Sequence, residues 1–365
     1  MQNKSTPCLD VLVIGAGFGG IAAAIKLRER GVSNFRVYEK SAGVGGTWWH
    51  NTYPGAGCDI ASHLYSYSFE PNPDWSRKFS PQAEIQAYIE HCADKYDVRG
   101  HIQLNTGVTG IYLQEDRGLW RARLSSGDEA LARHVIVCTG GLHTPAYPDI
   151  PGREDFQGPA MHSATWDHSV KFDGKRVAVI GSAASAIQLI PEVAKLAAQV
   201  DIYQRTPNYI APRGDREFTD KEKARFARWP LWHWLYRQSI FLRGEWLLFP
   251  VIKNKGRSRW RDRVQAYVKQ HIRSSIKDVR TRKLMTPDYP LGCKRILISD
   301  NFYQTLNRDN VRVIPEGIQR IDGHSLITSD GQSHAADIIV FATGFDVEQQ
   351  MYATEMVGVD GITLT

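Results

Sequence analysis

The apolar positions of this chain fall mostly in short continuous runs closed by turn residues, the pattern of strands buried on both faces. CLDVLVI at residues 8–14 is the first such run. GAGFGG follows at Gly15–Gly20, then IAAAIKLRER, an amphipathic helix that Gly31 stops. A second strand is predicted over Phe35–Tyr38, and a helix over 81–97 with Pro81 in its first turn. Residues 102–124 alternate as a small antiparallel meander does, and His134–Cys138 read as another buried strand. Farther on, Lys175–Ile180 predict a strand, Gly181–Ala186 a tight small-residue turn and the start of a helix, and Val200–Tyr203 a further strand. Short strands at 296–299, 311–313 and 318–321, a hairpin, and the buried run 337–341 complete the series. Strands alternating with helices predict an α/β fold with parallel sheets.

Strand, small-residue turn and helix occur twice, which predicts two Rossmann-like dinucleotide-binding domains. In the first, Gly15, Gly17 and Gly20 stand at fingerprint spacing, and Glu39 lies nineteen residues beyond Gly20. Glycines there permit a tight turn and close approach to a pyrophosphate, and the acid can accept ribose hydroxyl hydrogen bonds. The second turn, Gly181, Ser182, Ala183, Ala184, Ser185, Ala186, keeps only the first glycine, and alanine does not freely adopt positive φ. Arg205 lies nineteen residues beyond Ala186, so it is expected at the position Glu39 holds in the first unit. An acid suits a free ribose and an arginine a 2′-phosphate, so FAD or NAD is expected in the first unit and NADPH in the second. LHTPAYPDIPG, with three prolines, is the expected domain crossing. Thr139-Gly140-Gly141 and Thr343-Gly344 each close a strand, as if the chain left the first domain and re-entered it. The expected division is 1–145 for the first part of the FAD domain, 146–215 and 291–332 for the NADP domain, 216–290 for a helical insertion, and 333–365 for the return.

At 365 residues with net charge +6 and pI near 9.0, the chain is long enough for two buried cores and carries a basic balance that anionic cofactors partly explain. No nucleic-acid module is visible. Five scattered cysteines with no CxxC pair point to reduced thiols in the cytoplasm and against a metal site, and the lone Cys58 argues against a disulfide-reductase flavoenzyme. Residues 1–10 lack the apolar core of a secretory signal. The run from Trp229 to Ile252 is aromatic and apolar, but His233, Arg237, Arg243 and Glu245 interrupt it and Pro230 and Pro250 bracket it. It reads first as part of a helical insertion packed on the nucleotide domains, second as a peripheral membrane contact through Trp and Arg, and least as a transmembrane span. The Arg/Lys run from 253 to 283 reads as a solvated helix face. Asp59, in an apolar setting, needs a cation or donors unless it is a turn or cap residue. Lys294 and Arg295 follow a Pro-Gly turn, where they form either an anion site or plain surface charge.

Phe156, Gly158, His162, Trp166 and Asp167 match the signature FxGxxxHxxxW(P/D). With GAGFGG, Glu39, GGTWW, YPGAGCD, Tyr65, QRTPNY, GCKR, LNRDNV and ATGFD, nearly the whole chain resembles the type I Baeyer–Villiger monooxygenases. The resemblance implies that FAD is held by the first unit and reduced by NADPH held by the second. Oxygen then forms a C4a-peroxyflavin, which attacks a ketone to give an ester or lactone. It implies catalytic roles for Arg295, which stabilises the peroxide and the developing oxyanion, and for Asp59, which orients Arg295. His162 couples domain arrangement to turnover. Implied cofactor contacts are Gly15, Gly17, Phe18, Gly20, Glu39, Lys40, Gly46, Thr47, Trp48, Asp59, Tyr65, Val108, Gly181, Ser182, Ala183 and Ser185. Arg205, Thr206 and Lys294 are implied at the NADPH phosphate and ribose. Two alternatives stay open. One is oxygenation of amines or sulfides, although the relatives that do this end the signature in Tyr-Lys. The other is a non-catalytic nucleotide-binding remnant, since the family continues beyond ATGFD with a segment that completes the FAD domain and the substrate pocket.

Overall fold

The computed structural model describes residues 8–253, 258–347 and 354–364, so the N-terminal residues read for a signal, and 254–257 of the basic run, lie largely or wholly outside it. The chain divides into two compact units: Met1–Asn51, Ala83–Pro145 and Phe345–Thr365 form the first, Thr52–Gln82 and Ala146–Gly344 the second.

In chain order the first unit holds β1 (Cys8–Ile14), α1 (Phe18–Glu29), β2 (Phe35–Tyr38), the short α2 (Thr47–His50) and α3 (Gln82–Lys95). It continues with β3 (Ile102–Gln103), β4 (Val108–Gln114), β5 (Leu119–Leu124) and β6 (Glu129–Val137). β1 pairs in parallel with β2 on one side and β6 on the other, so Leu12 and Val13 are fully buried. That double burial is why the run is continuous rather than alternating. The antiparallel meander is β4-β5-β6; Ile102–Gln103 pairs in parallel with β2 instead. A strand two residues long carries too little pattern to reveal its partner.

The second unit contains β7 (Ala160–His162), β8 (Arg176–Ile180), α4 (Ala184–Val193), β9 (Gln199–Tyr203) and β10 (Ile210–Ala211). Its helical insertion holds α5 (Asp220–Arg228), α6 (Pro230–Arg243), α7 (Phe249–Lys253), α8 (Arg259–Ser275) and α9 (Val279–Leu284). Then come β11 (Leu297–Ile298), α10 (Phe302–Thr305), β12 (Val311–Ile314), β13 (Ile318–Asp322), β14 (Ser325–Thr328), β15 (Ser333–Ala335) and β16 (Ile338–Phe341). A five-stranded parallel sheet runs β12-β9-β8-β16-β7. Ile187, Leu189 and Ile190 of α4 pack in one core with Val177, Val179, Val200 and Ile202 of that sheet. The chain ends in the first unit, where β17 (Glu355–Val357) pairs with β4.

Two domain boundaries differ from the sequence reading. β16 sits between β8 and β7, so residues 333–344 belong to the second unit and the chain returns only at Phe345. Residues 52–82, expected in the first domain, also pack with the second. Tyr53 Oη donates to Gln188 Oε1 of α4 (2.8 Å), and Gln188 Nε2 donates to Gly57 O (2.9 Å). These anchors are single side chains far apart in sequence, so no periodicity announces them.

Candidate functional site

The two glycine turns are built alike. Gly15 and Gly181 both have positive φ (95° and 113°), and a Cβ on either would lie 2.6 Å from Cys138 O or 2.4 Å from Ala342 O. The two Thr-Gly motifs thus adjoin the matching walls of the two turns, and they also mark where the chain leaves the first unit, after Pro145, and re-enters it, at Phe345. At the second position, Gly17 (φ −78°, ψ −165°) and Ala183 (φ −88°, ψ −161°) are both extended N-caps. Negative φ there costs alanine nothing, so the missing glycine is no defect. The third position differs by packing: a Cβ on Gly20 would fall 1.8 Å from Gly15 O, whereas Ala186 is accommodated and fully buried. Neither helix has a side-chain cap at its N-cap, which leaves the positive ends of α1 and α4 open to an anion. In the first unit Gly46 backs the turn, its would-be Cβ 3.0 Å from Gly17 Cα, and Gly45 N donates to Ala16 O (3.0 Å). Phe18 opens α1, Thr47 and the buried Trp48 form α2, and Val108 is buried at the start of β4.

Glu39 is buried, and its carboxylate accepts from Ala16 N (2.7 Å) and Ser41 N (2.8 Å). It thus braces the glycine turn itself. Burial pushes the neighbouring Lys40 ammonium down, against the pull of Glu39. Arg205 is not the equivalent of Glu39. Gly15 N donates to Tyr38 O, and Gly181 N donates to Tyr203 O. Gln204 therefore takes the place of Glu39, and Arg205 that of Lys40. Equal sequence offsets misled because the second unit is one residue shorter between turn and strand end. Gln204 is buried, while Arg205 and Thr206 are exposed just past the strand.

Asp59 and Arg295 meet within the second unit, Arg295 Nη2 donating to Asp59 Oδ2 at 2.5 Å. Asp59 is largely covered and Arg295 two-thirds exposed, so the guanidinium keeps free donors toward solvent. Each partner is held from behind. Arg213 Nη2 donates to Cys58 O (2.7 Å), the peptide immediately before Asp59. Arg213 follows β10, which pairs with β11 just after Arg295. Asp300 ties the same loop by accepting from Arg213 N, Gly214 N and Asp215 N at 2.8–2.9 Å. Arg213, Asp300 and Gln188 carry no motif and were invisible to sequence reading. Lys294 lies over the Tyr289 ring at 5.1 Å, and Tyr65 is half-buried in the second unit. Burial lifts the Cys58 thiol to about 12, so it is inert at neutral pH.

The signature residues act as packing. A Cβ on Gly158 would meet Asp337 O at 2.4 Å. Trp166 stacks on Phe172 in the main core, and Asp167 closes a turn by accepting from Ser169 N. His162 is fully buried at the end of β7, and its Nδ1 accepts from Ala164 N (3.1 Å). Burial pushes His162 down to about 4, with a backbone hydrogen bond at Gly344 working the other way, so the ring is neutral at pH 7. His63, hydrogen-bonded to His233 at 2.7 Å, is pushed down to about 3. Since these folded-state values lie below the ordinary 6.5, the unfolded chain takes up protons first. The stability these two histidines contribute is therefore full above about pH 6.5 and is lost as pH drops toward their folded-state values. The share of His162 is on the order of 3 kcal/mol. Urea midpoints between pH 7.5 and 4.5 are expected to fall with pH, and to fall less steeply in His162→Gln; parallel slopes would show that His162 does not resist protonation.

The flavin-binding monooxygenase-like family model matches residues 9–218. A Baeyer–Villiger monooxygenase of Pseudomonas aeruginosa is 43% identical over 99% of this chain and 69% of its own length. The chain belongs to the flavin-binding monooxygenases, in their Baeyer–Villiger branch. A second member, from Streptomyces coelicolor, is 40% identical over 97% of this chain and 67% of that protein. Among solved members, an oxidised steroid monooxygenase bound to NADP superposes with a TM-score of 0.88 at 35% identity, covering 98% of this chain and 76% of the other.

Proposed function

We propose that this chain inserts one oxygen atom beside a ketone carbonyl, giving an ester or lactone, with FAD, NADPH and O2. The observation that carries the reading is the Asp59–Arg295 pair: a permanently charged guanidinium, oriented by one carboxylate and still holding unused donors. The turns fit the two dinucleotides. In the first unit Gly15, Gly17, Gly20, Gly46 and the open end of α1 would hold the FAD pyrophosphate, with Glu39 beside the ribose. In the second, Gly181, Ser182, Ala183 and Ser185 would hold that of NADPH, with Arg205, Thr206 and Lys294 toward its 2′-phosphate and ribose. Bound FAD, reduced by NADPH, supplies the activated oxygen. Arg295 stabilises negative charge as it develops on oxygen, and its charge cannot be lost by deprotonation. Asp59 fixes the direction of the guanidinium. His162, neutral and buried, sits at the end of β7 paired with Phe341 of β16, and its role is one of position. Five free thiols fit a cytoplasmic setting.

The test is to load the purified chain with FAD, reduce it anaerobically with NADPH, and mix it with oxygen in the presence of a ketone panel. Ester or lactone formation matched to NADPH consumption is expected. Flavin that reduces but yields only hydrogen peroxide with every ketone would count against the reading. A chain that cannot take up FAD would be a nucleotide-binding remnant.

A further inference from the structure

The helical insertion buries Phe226, Val251, Val268 and Ile272 but leaves many apolar side chains of α6 and the turn after it uncovered. α6 is tied to the second unit along one polar edge, where His233 Nε2 meets His63 Nδ1 and Arg237 Nη1 donates to His63 O (2.7 Å). Around the rest of α6 and the π-type turn after it, Trp229, Trp232, Trp234, Leu231, Leu248 and Trp246 are exposed, Trp246 at 76%. An apolar surface of this kind marks an interaction site. Its charge says what it meets. Between Lys221 and Lys283 the sequence has eighteen Lys and Arg against four Asp and Glu, a net +14, while the whole chain carries only +6. Along the sequence, this excess of positive charge lies on both sides of the aromatic helix. Arg225 lies over the Trp232 ring at 4.7 Å and Arg228 over Trp229 at 5.6 Å, which places cations and indoles at the same level.

We propose that this face seats on an anionic phospholipid surface, with the tryptophans at headgroup depth and the flanking Arg and Lys on lipid phosphates. Trp with Arg/Lys is the composition of an interfacial helix. Among the described residues no helix is long and apolar enough to cross a membrane. Arg243 and Glu245, midway along the apolar stretch, also keep the helix in the plane of the surface. The proposal is independent of the oxygenation reading and stands or falls by its own test.

Vesicles of phosphatidylcholine alone are compared with vesicles in which phosphatidylserine replaces about one third of it, by co-sedimentation and tryptophan emission. Binding about tenfold or more tighter to the anionic vesicles is expected, with an emission blue shift, and it weakens as salt rises. Trp234→Ser and Trp246→Ser are each expected to lower partitioning several-fold at unchanged melting temperature. Equal binding to both vesicles, or none to either, overturns the proposal. So does a concentration-dependent dimer that shields the tryptophans and ignores vesicles. Wild-type retention in both Trp variants would place the contact elsewhere and overturn it as well.

Discussion

Arg295→Ala is expected to abolish ester formation while NADPH still reduces the flavin at close to the normal rate. The two half-reactions make different demands on the protein. On the proposed reading, reduction needs the dinucleotides held in the two glycine turns, and Arg295 belongs to neither turn. Insertion of oxygen places negative charge on oxygen, and a positioned cation there is worth roughly 10²–10³-fold in rate. Asp59 aims that cation, so Asp59→Asn is expected to give a smaller loss of the same kind. Arg295→Lys keeps the charge but loses the planar fork that binds Asp59 and still presents donors, so it restores only part of the rate. Stopped-flow reduction followed by product analysis separates the steps. Ordinary ester yield from Arg295→Ala would remove the arginine from the chemistry, and lost reduction would place it in coenzyme binding.

Arg205→Ala is expected to raise the Kd for NADPH by about 10–100-fold and to leave that for NADH nearly unchanged. One or two charge-assisted hydrogen bonds to a phosphate are worth roughly 1.5–3 kcal/mol, which sets that range. The position favours discrimination. Gln204, buried where an acid would meet a ribose hydroxyl, brings no charge against the 2′-phosphate, and the exposed Arg205 stands one residue beyond it. Titrations with both coenzymes decide the matter. Equal weakening of the two would mean that Arg205 shapes the turn rather than reading the phosphate.

The pattern of the chain disclosed what depends on neighbours in sequence. β1 and β2 lie where their apolar runs predict, and both strand–turn–helix units form. The Asp59–Arg295 pairing, spanning 236 positions, came only through resemblance; spacing alone left Asp59 open as a cap and Arg295 as surface charge. The readings that failed concern register and packing partners. Nineteen residues beyond the turn named Arg205 as the counterpart of Glu39, but the strand pairing gives that place to Gln204. The run ending at Phe341 looked like a return to the first sheet because any buried parallel strand reads alike, whichever sheet receives it. Arg213 was silent because its role is to hold a backbone carbonyl, and that depends on the path of the chain and not on the residue facing it.

Gln188 has a consequence for how the second unit responds to an occupant. It lies one helical turn beyond Ser185, on the helix whose first residues face the open turn, and its amide grips the loop that carries Asp59. There is no slack in that grip, since even a methyl group on Gly55 would press to 2.4 Å from Gln188 O. A helix is stiff along its axis, so α4 links the glycine turn at its N-terminal end to the carboxylate's loop clamped to its side. Any rigid tilt of α4 would carry that loop with it. The same stiffness gives the loop a fixed seat for as long as the helix stays still.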